Sequence, residues 1–166
     1  MRALVVYESL WGNTAEVARA IAEGLGDGAE AVTPDNVSEP MVAEADLLVA
    51  GAPVFAFSLP TEKIRESIER DEADAPVPPD LSHPSLRGWL DRIPRGHART
   101  AAFETRIWWS PRGATGDIEQ RFARAGYQPI AKAQKFVVRG KYGPLREGEL
   151  ARAREWGVSL REALAA

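Results

Sequence analysis

Tyr7-Glu8-Ser9-Leu10-Trp11-Gly12-Asn13-Thr14 is the stretch of sequence that decides the fold, because it joins two segments of different periodicity. Residues 2–7 before it are a short apolar run rich in β-branched side chains, which predicts a buried strand. Residues 14–25 after it carry apolar side chains at helical spacing, which predicts an amphipathic helix. We therefore predict a strand-to-helix loop that faces the free N–H groups and the positive dipole end of the helix.

The alternation of strands and helices continues along the chain. Further strands are predicted at 29–33, 46–51, 99–105 and within 128–139, and further helices around 61–70, 86–93, 118–125 and 150–164. Continuously apolar strands that alternate with helices favour a parallel sheet covered on both faces, and right-handed crossovers make it doubly wound. We predict a three-layer α/β fold, with a five-stranded parallel sheet, in a single domain over residues 1–166.

The composition excludes several classes of protein. The chain has no cysteine, which excludes disulfides, thiolate catalysis and cysteine-based metal sites. Its two histidines, His83 and His97, are not spaced as a metal pair, so we predict no metal site. The longest uncharged run, residues 47–61, contains two prolines and is shorter than the roughly 20 apolar residues of a spanning helix. We expect no membrane segment, and because the N-terminus lacks the features of an export signal, we expect a cytoplasmic location.

Charge is distributed unevenly although the formal net charge is only −3. Residues 1–83 carry 16 acidic and 5 basic side chains, whereas residues 84–166 carry 8 acidic and 16 basic ones. Two interpretations stay open: two solvated faces, or a dipolar molecule that steers an anionic partner or cofactor toward one side. The basic residues form no tail and no known motif, so a nucleic-acid binder is not expected.

Three loops are the predicted place for chemistry. In a doubly wound sheet, ligands bind beyond the carboxyl ends of the strands where the strand order reverses, which selects residues 8–14, 52–59 and 105–115. The first loop offers hydroxyls, an amide and a glycine but no lysine or arginine, so it would hold a phosphate monoester almost wholly by neutral donors. Its spacing is equally compatible with simple capping, with Asn13 as the N-cap and Glu16 completing a capping box.

A family resemblance separates these alternatives. Ser9-x-Trp11-Gly12-Asn13-Thr14 resembles the phosphate loop of the flavodoxin family, Ser/Thr-x-Thr-Gly-x-Thr, with an aromatic residue similar to the Tyr-Gly loops of flavodoxin-like quinone reductases. Gly51-Ala52-Pro53 resembles the end of the family's third strand. More narrowly, the segments 6–9, 102–106 and 143–150 resemble actinobacterial flavodoxin-domain proteins. The resemblance implies the strand order 2-1-3-4-5 and FMN as cofactor.

The resemblance also implies which residues bind FMN. Three groups are expected, one from each loop: Ser9, Leu10, Trp11, Gly12, Asn13 and Thr14 for the phosphate; Pro53, Val54, Phe55, Ala56 and Phe57 for one wall; Thr105, Arg106, Trp108 and Trp109, beside Ile107, for the other. One of the two neighbouring tryptophans is expected against the flavin ring, and Trp11 is expected to cover the ribityl chain or to pack beneath it. Alternatively, Phe55 and Phe57 are core residues, and Arg106 and Arg112 are solvated rather than near the ring.

Three hypotheses for the function follow. The leading one is an FMN-binding flavodoxin-like protein that transfers electrons to a redox partner protein. The second is an FMN-dependent reductase that uses NAD(P)H to reduce a quinone or a similar small-molecule electron acceptor. The third is a flavin-free interaction protein on the same fold. A net charge of only −3, with Arg106 and Arg112 near the expected ring, weakens the pure carrier hypothesis, because carrier flavodoxins are strongly acidic as a family.

Overall fold

The computed structural model describes residues 1–166 and contains six strands and six helices. In chain order these are β1 (Ala3–Tyr7), α1 (Asn13–Leu25), β2 (Ala29–Val32), α2 (Glu39–Glu44), β3 (Leu47–Pro53), α3 (Glu62–Asp71), α4 (Leu86–Arg92), β4 (Arg99–Ile107), α5 (Thr115–Arg124), β5 (Gln128–Pro129), β6 (Gln134–Val138) and α6 (Glu149–Ala165). No helix is both long and apolar enough to cross a membrane.

All strands of the sheet are parallel, and their order confirms the predicted 2-1-3-4-5 arrangement. The sheet runs β2-β1-β3-β4-β5, and β6 also pairs with β4. The predicted single fifth strand is wrong in one respect, because it is divided: β5 pairs with the start of β4 and β6 pairs with Phe103–Ile107. Pro129 is tolerated at this sheet edge, where the next hydrogen bond to β4 comes from the Ile130 N–H, which donates to the Thr100 carbonyl oxygen at 2.8 Å. Ile130 and Ala131 then leave the edge to pack against the core on the α1 side.

Two hydrophobic cores lie on opposite faces of the sheet, as a three-layer fold requires. Val5 and Phe103 face α1 and α6, whereas Val6 and Ala102 face α4 and α5. Neighbouring strand residues therefore point to opposite faces and both are buried. This explains why the strands are continuously apolar rather than alternating.

Helices α1 and α6 approach closely through two glycines. A Cβ at Gly24 would lie 2.0 Å from the Arg154 carbonyl oxygen, and a Cβ at Gly157 would lie 2.3 Å from the Ile21 carbonyl oxygen. Helix α1 continues through Gly24 to Leu25. The role of Gly24 is the contact with α6.

Two other elements differ from the sequence-based expectation. Strand β4 extends to Ile107, so Arg106 and Ile107 belong to the strand and the following loop begins at Trp108. The short helix α2 was not predicted, because Val42 is its only buried residue and so gives no apolar periodicity. Its sequence signals are those of a helix start, with Ser38 as N-cap and a proline in the first turn.

Candidate functional site

A cavity of about 270 Å³ lies at the carboxyl ends of β1, β3 and β4. It is lined by residues from the three predicted loops and from the end of the sheet: Leu10, Trp11, Asn13, Thr14, Pro53, Val54, Phe55, Ala56, Phe57, Thr105, Arg106, Ile107, Trp109, Ser110, Val138 and Lys141. The structure therefore brings together most of the residues predicted from the sequence. The exceptions are Ser9, Gly12 and Trp108.

The loop after β1 is organised by the Ser9 hydroxyl and leaves several backbone donors free. Ser9 Oγ accepts hydrogen bonds from the N–H groups of Gly12, at 3.1 Å, and Ala15, at 3.2 Å. The loop N–H groups that donate to no acceptor in the protein are those of Leu10, Trp11, Asn13 and Thr14. A cluster of free N–H groups at the positive end of a helix dipole is suited to a phosphate.

The capping interpretation of Asn13 is wrong. Gly12 is the N-cap, with a φ of 91°, and Asn13 is the first helical residue. Because Gly12 has no side chain that could accept a hydrogen bond from the helix, no capping box forms. Gly12 is needed here because its left-handed backbone conformation turns the chain into α1.

Two threonines join the loop after β1 to the end of β4. Thr14 Oγ1 and Thr105 Oγ1 lie 2.8 Å apart, and both side chains are buried. This hydrogen bond joins the loop after β1 to the strand that leads into the opposite wall of the cavity. Ser9 is also buried, beneath the cavity, and supports the loop rather than lining it.

The wall after β3 is a tight turn of apolar residues. The N–H groups of Phe55 and Ser58 each donate to the other residue's carbonyl oxygen, at 3.1 Å. Ala56 and Phe57 between them have φ values of 49° and 62°, a left-handed conformation that is uncommon for residues other than glycine. Neither phenylalanine belongs to a core, and Phe57 is 40% exposed, so the interpretation of both as core residues is wrong.

The two neighbouring tryptophans have different positions. Trp109 lines the cavity and contacts Phe57, with their ring centroids 6.3 Å apart. Trp108 does not line the cavity and is 76% exposed. Of the two tryptophans predicted as candidates for a contact with the flavin, only Trp109 lines the cavity.

Trp11 and the loop after β6 close one side of the cavity. Trp11 Nε1 donates to the Val77 carbonyl oxygen at 2.9 Å, and its ring lies between those of Phe55 and Tyr142, with centroids 6.1 and 5.2 Å away. Lys141 lies over the Phe55 ring and forms an ion pair with Glu72.

The contribution of residues 138–142 was missed by the sequence analysis. The three predicted loops follow the first, third and fourth strands, whereas this loop follows the last strand. Tyr142 donates a hydrogen bond to Glu72 at 2.7 Å, and the hydrogen bonds from Lys141 and Tyr142 lower the pKa of the Glu72 carboxyl. Glu72 therefore stays ionised and anchors this loop across the cavity.

The charged residues that line the cavity are both cations. Arg106 and Lys141 are present, and no Asp or Glu side chain takes part. Arg106 is only 8% exposed and its Nη1 lies 3.0 Å from Glu104 Oε1, so it is not a solvated side chain. The other oxygen of Glu104 accepts from the N–H groups of Ala114 and Thr115 at the start of α5. Each of the two cations thus has a carboxylate partner outside the cavity lining, Glu104 for Arg106 and Glu72 for Lys141.

A buried ion pair supports the phosphate loop from below. Glu8 Oε2 lies 3.2 Å from Arg65 Nη1, and Glu8 Oε1 accepts from the Leu86 N–H at 2.8 Å. Burial raises the pKa of the Glu8 carboxyl, and the Arg65 charge and the Leu86 N–H oppose that rise. Arg65 also donates to the His83 carbonyl oxygen, and the His83 ring contacts the Ser9 backbone, which holds the irregular segment 72–85 against the loop.

Comparison with known proteins identifies the family. The family model for flavodoxin matches residues 5–156. The chain belongs to the flavodoxin family. FMN is the cofactor that this membership implies. No curated protein sequence matches the chain, and the resemblance of segments 6–9, 102–106 and 143–150 to the actinobacterial group stays a prediction.

Solved structures with the same fold include flavodoxins of distant origin. A flavodoxin from the domain Archaea is 18% identical, with full coverage of both chains and a TM-score of 0.64. Oxidised flavodoxin 1 from Bacillus cereus is 15% identical, with 98% coverage of both chains and a TM-score of 0.68. A flavodoxin-type WrbA-like protein from Agrobacterium tumefaciens is 17% identical, with coverage of 99% of this chain and 97% of the other and a TM-score of 0.61. At these identities the likeness establishes the fold.

The residues of the cavity fit FMN. Free N–H groups at the start of α1 suit the phosphate, apolar side chains from Pro53 to Phe57 and Trp109 suit a flat aromatic ring, and Arg106 offers a donor for the ring's polar edge. When bound, FMN supplies the redox chemistry, and the chain supplies binding, orientation and electrostatics.

Proposed function

We propose that this flavodoxin binds FMN in the cavity at the carboxyl ends of β1, β3 and β4 and transfers electrons through it. The observation that carries the proposal is the group of four free N–H groups at the start of α1. Those of Leu10 and Trp11 lie in the loop before the helix, and those of Asn13 and Thr14 belong to its first turn, where the helix supplies no acceptor of its own. A phosphate at this position satisfies them and gains from the helix dipole.

The two walls set the place of the flavin ring in this proposal. The ring lies in the part of the cavity lined by the turn that holds Phe55 and by the Trp109 side chain, because these are the apolar surfaces next to the phosphate loop. Trp11 covers the ribityl chain, since its own ring is held by Phe55 and by the Val77 carbonyl. The role of the chain is to bind and to tune the cofactor, and no side chain acts as an acid or base.

The rim of the cavity supports exchange of electrons with a redox partner. Phe57, Trp108 and Trp109 are large aromatic side chains with substantial exposure at the same edge of the sheet. Exposed apolar patches of this kind are typical of binding surfaces. A redox partner that binds over this rim lies close to the flavin ring.

A second candidate function, an FMN-dependent NAD(P)H:quinone-type reductase, is favoured by the charge of the cavity. Arg106 lines the wall of the cavity, and the carboxylate of its partner Glu104 lies outside the lining. A reduced flavin is electron-rich and gains negative charge, so nearby cations stabilise it. That environment favours uptake of an electron pair from a nicotinamide donor, whereas a carrier that passes single electrons at low potential benefits from acidic surroundings.

Reduction by a nicotinamide without a second protein separates the two candidates. FMN-loaded protein is mixed anaerobically with NADH or NADPH, and the flavin band at about 450 nm is followed, with free FMN at the same concentration as the control. For a carrier, the band stays unchanged until a separate reductase is added. Bleaching by NADPH or NADH alone, reversed by a quinone, establishes the reductase. Failure to bind any flavin leaves the interaction-protein hypothesis.

A further inference from the structure

A second, more polar cleft of about 590 Å³ lies beside the flavin cavity. We name it the lateral cleft, and it is lined by Ala56, Phe57, Ser58, Glu104, Arg106, Pro111, Arg112, Gly113, Thr115, Gly116, Asp117 and Lys135. It shares Ala56, Phe57 and Arg106 with the flavin cavity, so a molecule in one reaches the other across these three residues.

The acidic residues of the lateral cleft are already neutralised. Glu104 pairs with Arg106 and accepts the N–H groups of Ala114 and Thr115. The Asp117 carboxylate lies 3.6 Å from the Arg87 guanidinium and 3.8 Å from the Arg121 guanidinium. Neither carboxylate is left to balance further positive charge in the cleft.

Two cations of the lateral cleft have no partner. The side chains of Arg112 and Lys135 are exposed, and neither forms an ion pair or a hydrogen bond within the protein. Lys135 is held beside the cleft by its register opposite Glu104 in the parallel ladder. The loop that carries Arg112 lies against Glu104, since a Cβ at Gly113 would come within 2.3 Å of that carboxylate. The lateral cleft therefore carries excess positive charge, with the hydroxyls of Ser58 and Thr115 as additional polar groups.

We propose that the lateral cleft binds the anionic group of a small molecule that exchanges electrons with the flavin. The anionic group is a carboxylate, sulfonate or phosphate held by Arg112 and Lys135, and the rest of the molecule extends across Arg106 and the turn at Ala56–Phe57 to the flavin cavity. This inference rests on the proposed function, because it places the second molecule beside FMN. Cations without acidic partners at the edge of a ligand cavity raise the local concentration of anions and orient them.

The first experiment detects the anion directly, without any redox readout. Isotope-labelled protein is saturated with FMN, which fills the phosphate loop, and inorganic pyrophosphate is added at an ionic strength of about 0.1 M while backbone amide shifts are followed by NMR. The expected result is saturable shifts at residues 112–117 and at Ser58. The double variant Arg112→Gln/Lys135→Gln is expected to weaken the affinity at least about tenfold, because it removes both charged donors.

Arg124→Gln is the matched control. Arg124 is an exposed arginine at the far end of α5, without an ion pair, so its loss changes the net charge but not the lateral cleft. Affinity within about twofold of the parent is expected, since charges beyond a Debye length of about 10 Å are largely screened. An equal loss in the control and the double variant, or the absence of saturable shifts at residues 112–117, overturns the proposal.

The two sources of such an anion are distinguished by the probes. NADP⁺ stands for a nicotinamide electron donor and 1,4-naphthoquinone-2-sulfonate for an anionic acceptor, and neutral 1,4-naphthoquinone serves as the reference for the latter. Shifts in the cleft that depend on Arg112 and Lys135 with either anionic probe support the proposal and name the source. FMN binding is measured separately beforehand. Cleft shifts in a protein that binds no FMN support the anion site and overturn the proposed function. FMN binding without cleft shifts supports the proposed function and overturns the anion site.

Discussion

Single side chains determine how the phosphate loop is prepared for a ligand. The Ser9 hydroxyl satisfies the N–H groups of Gly12 and Ala15 and so holds the loop in shape, while four neighbouring N–H groups stay free. Thr14 is fixed by Thr105, which ties the loop to the opposite wall. The loop is therefore rigid before any ligand arrives, and binding loses little conformational entropy.

The two tryptophans give a test with a built-in control. Trp109→Ala is expected to weaken FMN binding about tenfold, because the stacking and burial of an aromatic ring are lost. Trp108→Ala is expected to leave the affinity within about twofold, since Trp108 lies outside the cavity. Quenching of tryptophan fluorescence on titration with FMN measures both. Equal effects of the two variants would contradict the position of the wall.

Lys141 is expected to act on the phosphate rather than on the ring. It lines the same cavity as Asn13 and Thr14, and the phosphate loop has no cation of its own. Lys141→Gln is expected to weaken FMN binding about five- to tenfold and riboflavin binding less than twofold, because only FMN carries the phosphate charge. Calorimetry with both flavins checks this. Lys132→Gln, at an exposed lysine outside the cavity, is the control, and a loss of the same size for riboflavin would contradict the assignment.

At this scale the sequence predicted the loops but not every contact. Ser9, Gly12 and Thr14 carry a local motif, so their loop could be recognised from spacing. The difference between Trp108 and Trp109 depends on how the chain leaves β4 after Ile107, and the reach of Lys141 depends on a contact with Glu72 that is distant in sequence. Neither is encoded in a short pattern.

Helices α1 and α6 are joined more tightly than any other pair of helices. Gly24 and Gly157 let the two backbones come into contact, and side chains at these positions would clash with the facing carbonyl oxygens. Close backbone approach lets the flanking apolar residues pack without voids. The core under the phosphate loop therefore depends on these two positions.

Gly157→Ala is expected to lower the free energy of unfolding by about 1–3 kcal/mol, because the added methyl group meets the Ile21 carbonyl oxygen at 2.3 Å. Gly116→Ala, in the first turn of α5, is the matched control, since its Cβ would meet nothing within 4 Å. That change is expected to be neutral or to stabilise by up to about 1 kcal/mol through helix propensity. Urea unfolding of both variants provides the measurement, and equal stability of the two would contradict the close packing.

Glu149 links the start of α6 to β6 and gives the fold a pH dependence. Burial raises the pKa of this carboxyl, but hydrogen bonds from Arg152 and the Val137 N–H outweigh it and hold the pKa below 4.5. A lowered folded-state pKa contributes stability above about pH 4.5, and this contribution is lost as the pH falls through the lowered value.

Glu149→Gln is accordingly expected to lower the free energy of unfolding at pH 7 by about 1–3 kcal/mol, because the three hydrogen bonds that the carboxylate accepts from Arg152 and the Val137 N–H are weakened or lost. The difference from the parent should shrink as the pH is lowered below 4.5, which unfolding curves between pH 7 and pH 3 will show. Glu147→Gln, at a neighbouring exposed carboxylate without an ion pair, is expected to have little effect. A difference for Glu149→Gln that is constant with pH would contradict this account.

Periodicity predicted the long elements and failed on the short ones. Strands β1, β3 and β4 are continuously apolar because both of their faces are buried, so they were recognisable from sequence alone. The divided fifth strand was not, because its interruption follows from the core that receives Ile130 and Ala131. Helix α2 buries a single side chain and left no pattern to recognise.

For the whole molecule, the order of strands separates the charges. The acidic part of the chain, residues 1–83, contributes β2, β1 and β3, and the basic part, residues 84–166, contributes β4, β5 and β6. The two halves of the sheet thus differ in sign, and the flavin cavity lies at their boundary, beside β4. This arrangement favours the dipolar interpretation of the charge pattern over two unrelated solvated faces.

Calorimetry of FMN, riboflavin and FAD on flavin-free protein is the most direct test of the central claim, that the loop from Ser9 to Thr14 binds the FMN phosphate. Several hydrogen bonds to a charged group are lost when the phosphate is absent. We predict that FMN binds at least about a hundredfold more tightly than riboflavin, which corresponds to about 2.7 kcal/mol. FAD, in which this phosphate is part of a pyrophosphate bridge rather than a terminal monoester, is expected to bind more weakly than FMN. Equal affinity for riboflavin and FMN would contradict the account.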